Sequence, residues 1–133
     1  MSETEAMTSP FAYQGASPLF VVSDLTIATT FYCGVLGFEK KWSWGDPVVR
    51  VGIGPKDMAV GNPFEIHLID DPTIGPSGTS FVFFHVVGVE ALYRRCQTHG
   101  ADIYLELGDR PWGLKDFRIA DPFGNRMGFG ETI

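Results

Sequence analysis

Segments in the first half of this chain recur in the same order in the second, and few folds accommodate such a recurrence. Ser17 to Val22 is a short apolar run fit for a strand. Asp24 follows where an N-cap belongs, and Leu25, Ala28, Phe31, Tyr32 and Val35 recur at helical spacing until Gly37 stops the helix. Glu39–Trp44 and Val48–Ile53 read as a hairpin around Gly45, Asp46 and Pro47. Residues 55–63 read as loop and Phe64–Ile69 as a further strand. A stretch dense in Pro, Gly, Asp and Ser, from Asp70 to Ser80, then breaks the pattern. Beyond it Phe81–Val87 predicts a strand, and Val89, Leu92, Tyr93 and Cys96 share one helical face that His99 and Gly100 close. Ile103–Leu107 is extended again. The tail alternates polar and apolar residues from Asp116 to Ala120 and turns at Asp121, Pro122, Phe123, Gly124 and Asn125. It returns with Met127 and Phe129 alternating with Arg126, Gly128 and Gly130.

The two halves can be laid over each other. Val22, Ser23, Asp24 and Leu25 fall on Val86, Val87, Gly88 and Val89, and Gly37 falls on Gly100. The offset is too long for a solenoid and predicts an α+β fold of two βαβββ modules in tandem, forming a cupped mixed sheet. In each module the helix covers one face of the sheet and leaves the other bare, and two such faces form a cleft. Module one is read as 17–70, a linker as 71–79 and module two as 80–131, within one domain of 17–133. Residues 1–16 have no period and read as a flexible arm, docked through Phe11 and Tyr13.

A chain of 133 residues with 44 % apolar content can bury one core. No apolar run approaches the ~20 residues of a membrane span, and the acidic, polar start carries no secretory signal. A net charge of −6 argues against a nucleic-acid partner and is compatible with a cationic ligand; solubility charge is the alternative. Two cysteines, Cys33 and Cys96, fall on predicted helices and read as reduced thiols of a cytoplasmic protein. Neither a GxSxG nor a GxGxxG nor a phosphate-binding glycine loop is present.

The opening of module one (Val22, Ser23, Asp24, Leu25, Phe31, Tyr32, Leu36, Gly37, Phe38) resembles that of the glyoxalase/bleomycin-resistance/dioxygenase family, the vicinal oxygen chelate superfamily. So do the second helix, Val89 to Tyr93 with Gly100 and Ala101, and the Asp121–Asn125 turn entered through Trp112 and Gly113. The resemblance covers residues 17 to 131 and implies the fold more than any chemistry, because this fold hosts metal lyases, isomerases, dioxygenases, transferases and drug-binding proteins. It also implies four inward positions that hold a divalent ion in the metal-dependent members. Here they fall at Ser17, at Glu65 or His67, near Val82, and at Gly128. Only the second can ligate, so no metal cofactor is expected. By strand parity His85 is expected towards the helix, His99 at a helix end, and Glu131 at the surface.

Without a metal quartet, the expected site is a pocket. Trp42 and Trp44 on one strand face, Phe84, Tyr104 and Trp112 are its candidate flat walls. Glu65, His67, Asp116, Arg118 and Arg126 are candidate polar anchors, each alternating onto the bare face, and Asp46 and Asp109 are candidate rim charges. The Tyr93–Cys96 stretch is similar to the bleomycin-resistance branch, whose resemblance implies a homodimer that sequesters a small molecule in a shared cleft. The expected ligand is therefore small, aromatic or cationic, bound without a metal. The rival expectations are a metal-dependent lyase, isomerase or dioxygenase using Glu65 or His67, and a non-catalytic accessory domain with a degenerate pocket.

Overall fold

The computed structural model describes residues 9–58 and 64–133. Module one runs β1 (Leu19–Val21), α1 (Leu25–Gly34), β2 (Phe38–Trp44), β3 (Arg50–Pro55) and β4 (Ile66–Ile69). Module two runs β5 (Phe81–His85), α2 (Val89–Thr98), β6 (Asp102–Asp109), β7 (Leu114–Ala120) and β8 (Arg126–Thr132). Each module is a four-stranded sheet, ordered β1-β4-β3-β2 and β5-β8-β7-β6, in which the first strand pairs parallel with the last and the other pairs are antiparallel. Two βαβββ modules are what the repeat predicts. The second module's middle strands, faint in sequence, are among its longest.

The helix side of both sheets joins into one core. Phe20, Tyr32, Ile53, Ile66 and Leu68 come from module one, and Phe84, Cys96, Phe117, Met127 and Phe129 from module two. The strands of the two modules do not pair with each other. They are joined instead through the Asp121–Asn125 turn. Asp121 Oδ1 accepts from the amides of Phe123 (2.8 Å) and Asn125 (2.9 Å), while Oδ2 accepts from Asn125 Nδ2 (3.0 Å) and from the Tyr32 hydroxyl (2.8 Å). Asn125, fully buried, also donates to the Val21 carbonyl and accepts from the Ser80 amide. Burial first, and the Asp121 carboxylate second, push the Tyr32 phenol well above its ordinary pKa and keep it a donor. Gly78 lets the linker press onto this turn: at φ +78° a Cβ would stand 1.8 Å from the Phe123 carbonyl oxygen. On the far side Arg95 of α2 donates to the carbonyls of Val35 (2.7 Å) and Gly34 (3.0 Å), placing a cation at the C-terminal end of α1.

Three expectations need correction. β5 faces the other way: Phe83 and His85 pair with Gly128 and Gly130 on the bare face, while Val82 and Phe84 lie on the helix side. Four consecutive apolar residues, Phe81 to Phe84, carry no alternation from which a face can be read. What decides the face is β8, whose helix side is filled by Met127 and Phe129 and whose other side is glycine. Glu131 is not a free surface carboxylate. It accepts from the amides of Gly88 and Val89, at 3.1 Å each, and so caps α2. Helix α1 is capped by its own Asp24, whose Oδ1 accepts from Ile27 N at 2.9 Å; in the repeat Gly88 holds that place and has no side chain, so β8 supplies the carboxylate. Phe11 and Tyr13 touch each other edge-on at 6.0 Å and stay exposed rather than docking the arm.

Tyr32→Phe removes the one side-chain hydroxyl that donates to Asp121 among the described residues and leaves a buried carboxylate oxygen one donor short. We expect a loss of about 1.5–3 kcal/mol, read as a lower urea midpoint at unchanged slope.

Candidate functional site

The bare faces of the two sheets share one local design, an aromatic side chain laid over glycine. In module one Trp42 pairs with Gly52, and a Cβ on Gly52 would stand 2.3 Å from the indole. A register shift between Lys40 and Trp42 puts Lys40 on the helix side, opposite Ile53, and Trp42 on the bare face. The indole Nε1–H donates to Glu65 Oε2 at 2.8 Å, and the ring meets His67 edge-on at 5.0 Å. His67 Nε2 lies 4.0 Å from the same carboxylate oxygen. Trp42, Glu65 and His67 are thus brought together, and the tryptophan is pinned on three sides. Trp44 shares their face, opposite Arg50, but is 65 % exposed.

In module two Phe83 lies across two glycines. A Cβ on Gly130 would meet its ring at 2.6 Å, and one on Gly128 at 2.7 Å. Beyond this glycine floor stand Asp116 and Arg118 of β7, paired with Gly130 and Gly128 respectively. Asp116 is fully buried. Its Oδ1 accepts from Arg110 Nε at 2.5 Å, and Arg110 is held in turn by the carbonyls of Glu106 and Asp116. Asp116 Oδ2 and Arg118 Nε are buried with no hydrogen-bond partner among the described residues. Leaving such groups unmet costs about 1–3 kcal/mol each, and more when charged. The Arg118 guanidinium sits 5.6 Å over the Phe81 ring, and that of Arg126 5.2 Å over Tyr104. Neither guanidinium has a carboxylate within ion-pair distance among the described residues.

Phe84 leaves the expected ligand wall. It is a core residue, stacked 5.2 Å from Phe129 and tilted against Phe64 at 5.4 Å. It borders an apolar cavity of about 400 Å³ at the helix-side seam between the modules, with Leu36, Phe38, Met58 and Leu92. Chain 59–63, the end of the expected 55–63 loop, lies outside the described residues. Trp112 is 66 % exposed in the turn before β7. Asp109 lies 3.9 Å from Lys115. The sequence reading missed Arg110 and the paired roles of Phe83 with Gly128 and Gly130; glycines two apart in a strand are the signal that marks such a close approach.

The residues do not fit the metal of the chelating members. Gly128 faces the bare side and has no donor, Val82 points into the core, and the bare-face neighbours on β5 are Phe81, Phe83 and His85. Among the described residues no three His, Cys, Asp or Glu side chains gather where an ion could sit. Neither thiol is activated: burial raises the pKa of Cys33, and pushes that of Cys96 up to about 11.

A family profile described as glyoxalase/bleomycin resistance protein/dioxygenase superfamily matches residues 16–129. The chain belongs to that superfamily. No curated protein matches it in sequence. Among solved structures of the superfamily's fold, it is similar to TnmS3, an antibiotic binding protein from Streptomyces sp. CB03234, with 25 % identity and a TM-score of 0.74 over 92 % of this chain and 100 % of that one. A glyoxalase/bleomycin resistance protein from the same organism shows 28 % identity and a TM-score of 0.68, covering 86 % and 98 %. The fosfomycin resistance protein FosX from Listeria monocytogenes, at 12 % identity and a TM-score of 0.69 over 92 % and 96 %, shares the fold alone. No helix among the described residues is long and apolar enough to cross a membrane.

Gly52→Ala tests the pinned tryptophan. The added methyl must lift Trp42 off β3 and break its bond to Glu65. We expect a cost of about 1–3 kcal/mol and a red-shifted tryptophan emission; unchanged emission would mean the indole does not lie where described.

Proposed function

We propose that this chain is a sequestering protein of the bleomycin-resistance-like type. Two copies pair, and their bare sheet faces enclose a flat aromatic small molecule that is held without a metal and left chemically unchanged. The observation that carries this reading is the pairing of a pinned tryptophan with a donor set unfit for an ion. Trp42 is fixed by Glu65 and His67, while the other three quartet positions offer serine, an apolar side chain and glycine. A rigid ring face binds flat ligands at little entropic cost. The likeness to an antibiotic binding protein at 25 % identity supports the same class of role.

Pairing is supported by what the bare face exposes. Leu19 (41 %), Trp44 (65 %), Phe81 (50 %) and Tyr104 (42 %) are large side chains that a second copy would cover. Two free cysteines suit a reducing, cytoplasmic setting. The metal-dependent lyase, isomerase or dioxygenase reading keeps one observation in its favour, the position of His85 on the same sheet face as Asp116.

Native mass spectrometry separates these readings: we expect a dimer free of stoichiometric divalent ion. Flat polycyclic aromatics should quench tryptophan emission, with affinity falling about tenfold in Trp42→Ala, the ~1.4 kcal/mol of a lost stacking contact. One equivalent of bound metal, lost on Glu65→Ala with His67→Ala, would replace sequestration with catalysis.

A further inference from the structure

The two bare faces differ in their polar chemistry. In module one the polar groups satisfy each other, since the Glu65 carboxylate takes the Trp42 N–H and stands beside His67. In module two they do not. Asp116 spends one oxygen on Arg110 and keeps the other buried and unmet, while Arg118 keeps Nε unmet. Buried polar atoms are nearly always paired in folded proteins, so two orphans on one strand face call for a partner that the described residues do not supply. Residues two apart on one strand face stand about 6–7 Å from each other. One small molecule can therefore reach both.

The charges also have a sign. Arg110 and Asp116 cancel, whereas Arg118 and Arg126 each rest on an aromatic ring with no carboxylate within ion-pair distance among the described residues. This face is therefore locally cationic on a chain of net charge −6. Its surface disfavours a cationic ligand and favours one with an acidic or carbonyl oxygen. What stands in the way is Phe83. Its ring occupies the trough over Gly128 and Gly130, beside the Asp116 Cβ and the Arg118 Cγ. It is only half-buried, and a turn about its side-chain bonds would vacate a slot one ring thick.

We infer that the module-two face takes a flat aromatic acid carrying a hydroxyl beside its acid group. Arg118, with Arg126 near, receives the acid oxygen; the hydroxyl donates to Asp116 Oδ2; and the ligand ring takes the glycine-floored trough that Phe83 fills in its absence. This rests on the sequestration reading and names the chemistry that the reading leaves open.

Calorimetry with four probes of one ring size tests it: 3-hydroxy-2-naphthoate, 2-naphthoate, 2-naphthol and a trimethylammonium naphthalene. The hydroxy acid should bind most tightly and the ammonium probe at least tenfold more weakly. Arg118→Gln should reduce affinity for both acids about tenfold while leaving 2-naphthol unchanged. Arg126→Gln, at an exposed position, should weaken the acids by a few-fold and serves where Arg118→Gln impairs folding. Phe83→Ala, with the trough open, should raise affinity for the hydroxy acid. Equal binding of all four probes, with no response to either arginine change, overturns this inference and leaves sequestration standing. Tighter binding of the ammonium probe also overturns it. Absence of binding by every probe overturns both.

Discussion

The Asp121 carboxylate, buried in the turn between β7 and β8, is the interaction on which the arrangement of this molecule depends. Its two oxygens accept from two amides of their own turn, from the Asn125 side chain, and from a tyrosine of the other module. A buried carboxylate is tolerated only when such donors replace water. Three of these donors lie within the turn itself and the fourth is Tyr32, so the set is completed only across the joint, and that contact helps hold the two modules together. Strand pairing plays no part in the joint. The seam is instead a buried polar knot flanked by aromatic contacts such as Phe38 on Phe84.

With the helices and the common core on one side, the other side of both sheets is free to be functional. Each module uses that freedom in the same way, by placing an aromatic ring flat on strand glycine. A ring seated on backbone cannot sink or tilt inward, because no side chain beneath it can yield. Trp42, held also by Glu65 and His67, presents a fixed plane, which suits recognition of another plane. The same glycine that seats Phe83 leaves β8 without a ligating atom at the family's fourth metal position. Seating the ring and holding an ion there are mutually exclusive uses of Gly128.

The capping of α2 shows how a duplicated unit drifts while keeping its physics. The unpaired amides at a helix start need an acceptor. In module one Asp24 provides it locally; in module two Gly88 cannot, and Glu131, distant in sequence, does so from β8. A carboxylate that looked like an idle chain-end charge is in fact fixed by the helix it serves.

Local pattern determined much of this protein. The repeated order of segments, the Asp24 cap, the Gly37 and Gly100 stops and the Asp121–Asn125 turn are short-range signals, each set by backbone conformation or helical period, and together they carry the two-module fold and its family. Glu65 and His67 could be named together because one strand period places them on one side, and Trp42 could be paired with Trp44 for the same reason. Tertiary structure decided the rest, where a choice depends on atoms far away in sequence. Phe81 to Phe84 read the same on either face, and only the glycines of β8 choose for them. The shift after Lys40 that turns Trp42 outward leaves no mark in the residues around it. The unmet oxygen of Asp116 and nitrogen of Arg118 exist only once packing has removed water from both, because a polar group is an orphan by virtue of what surrounds it and not by its identity.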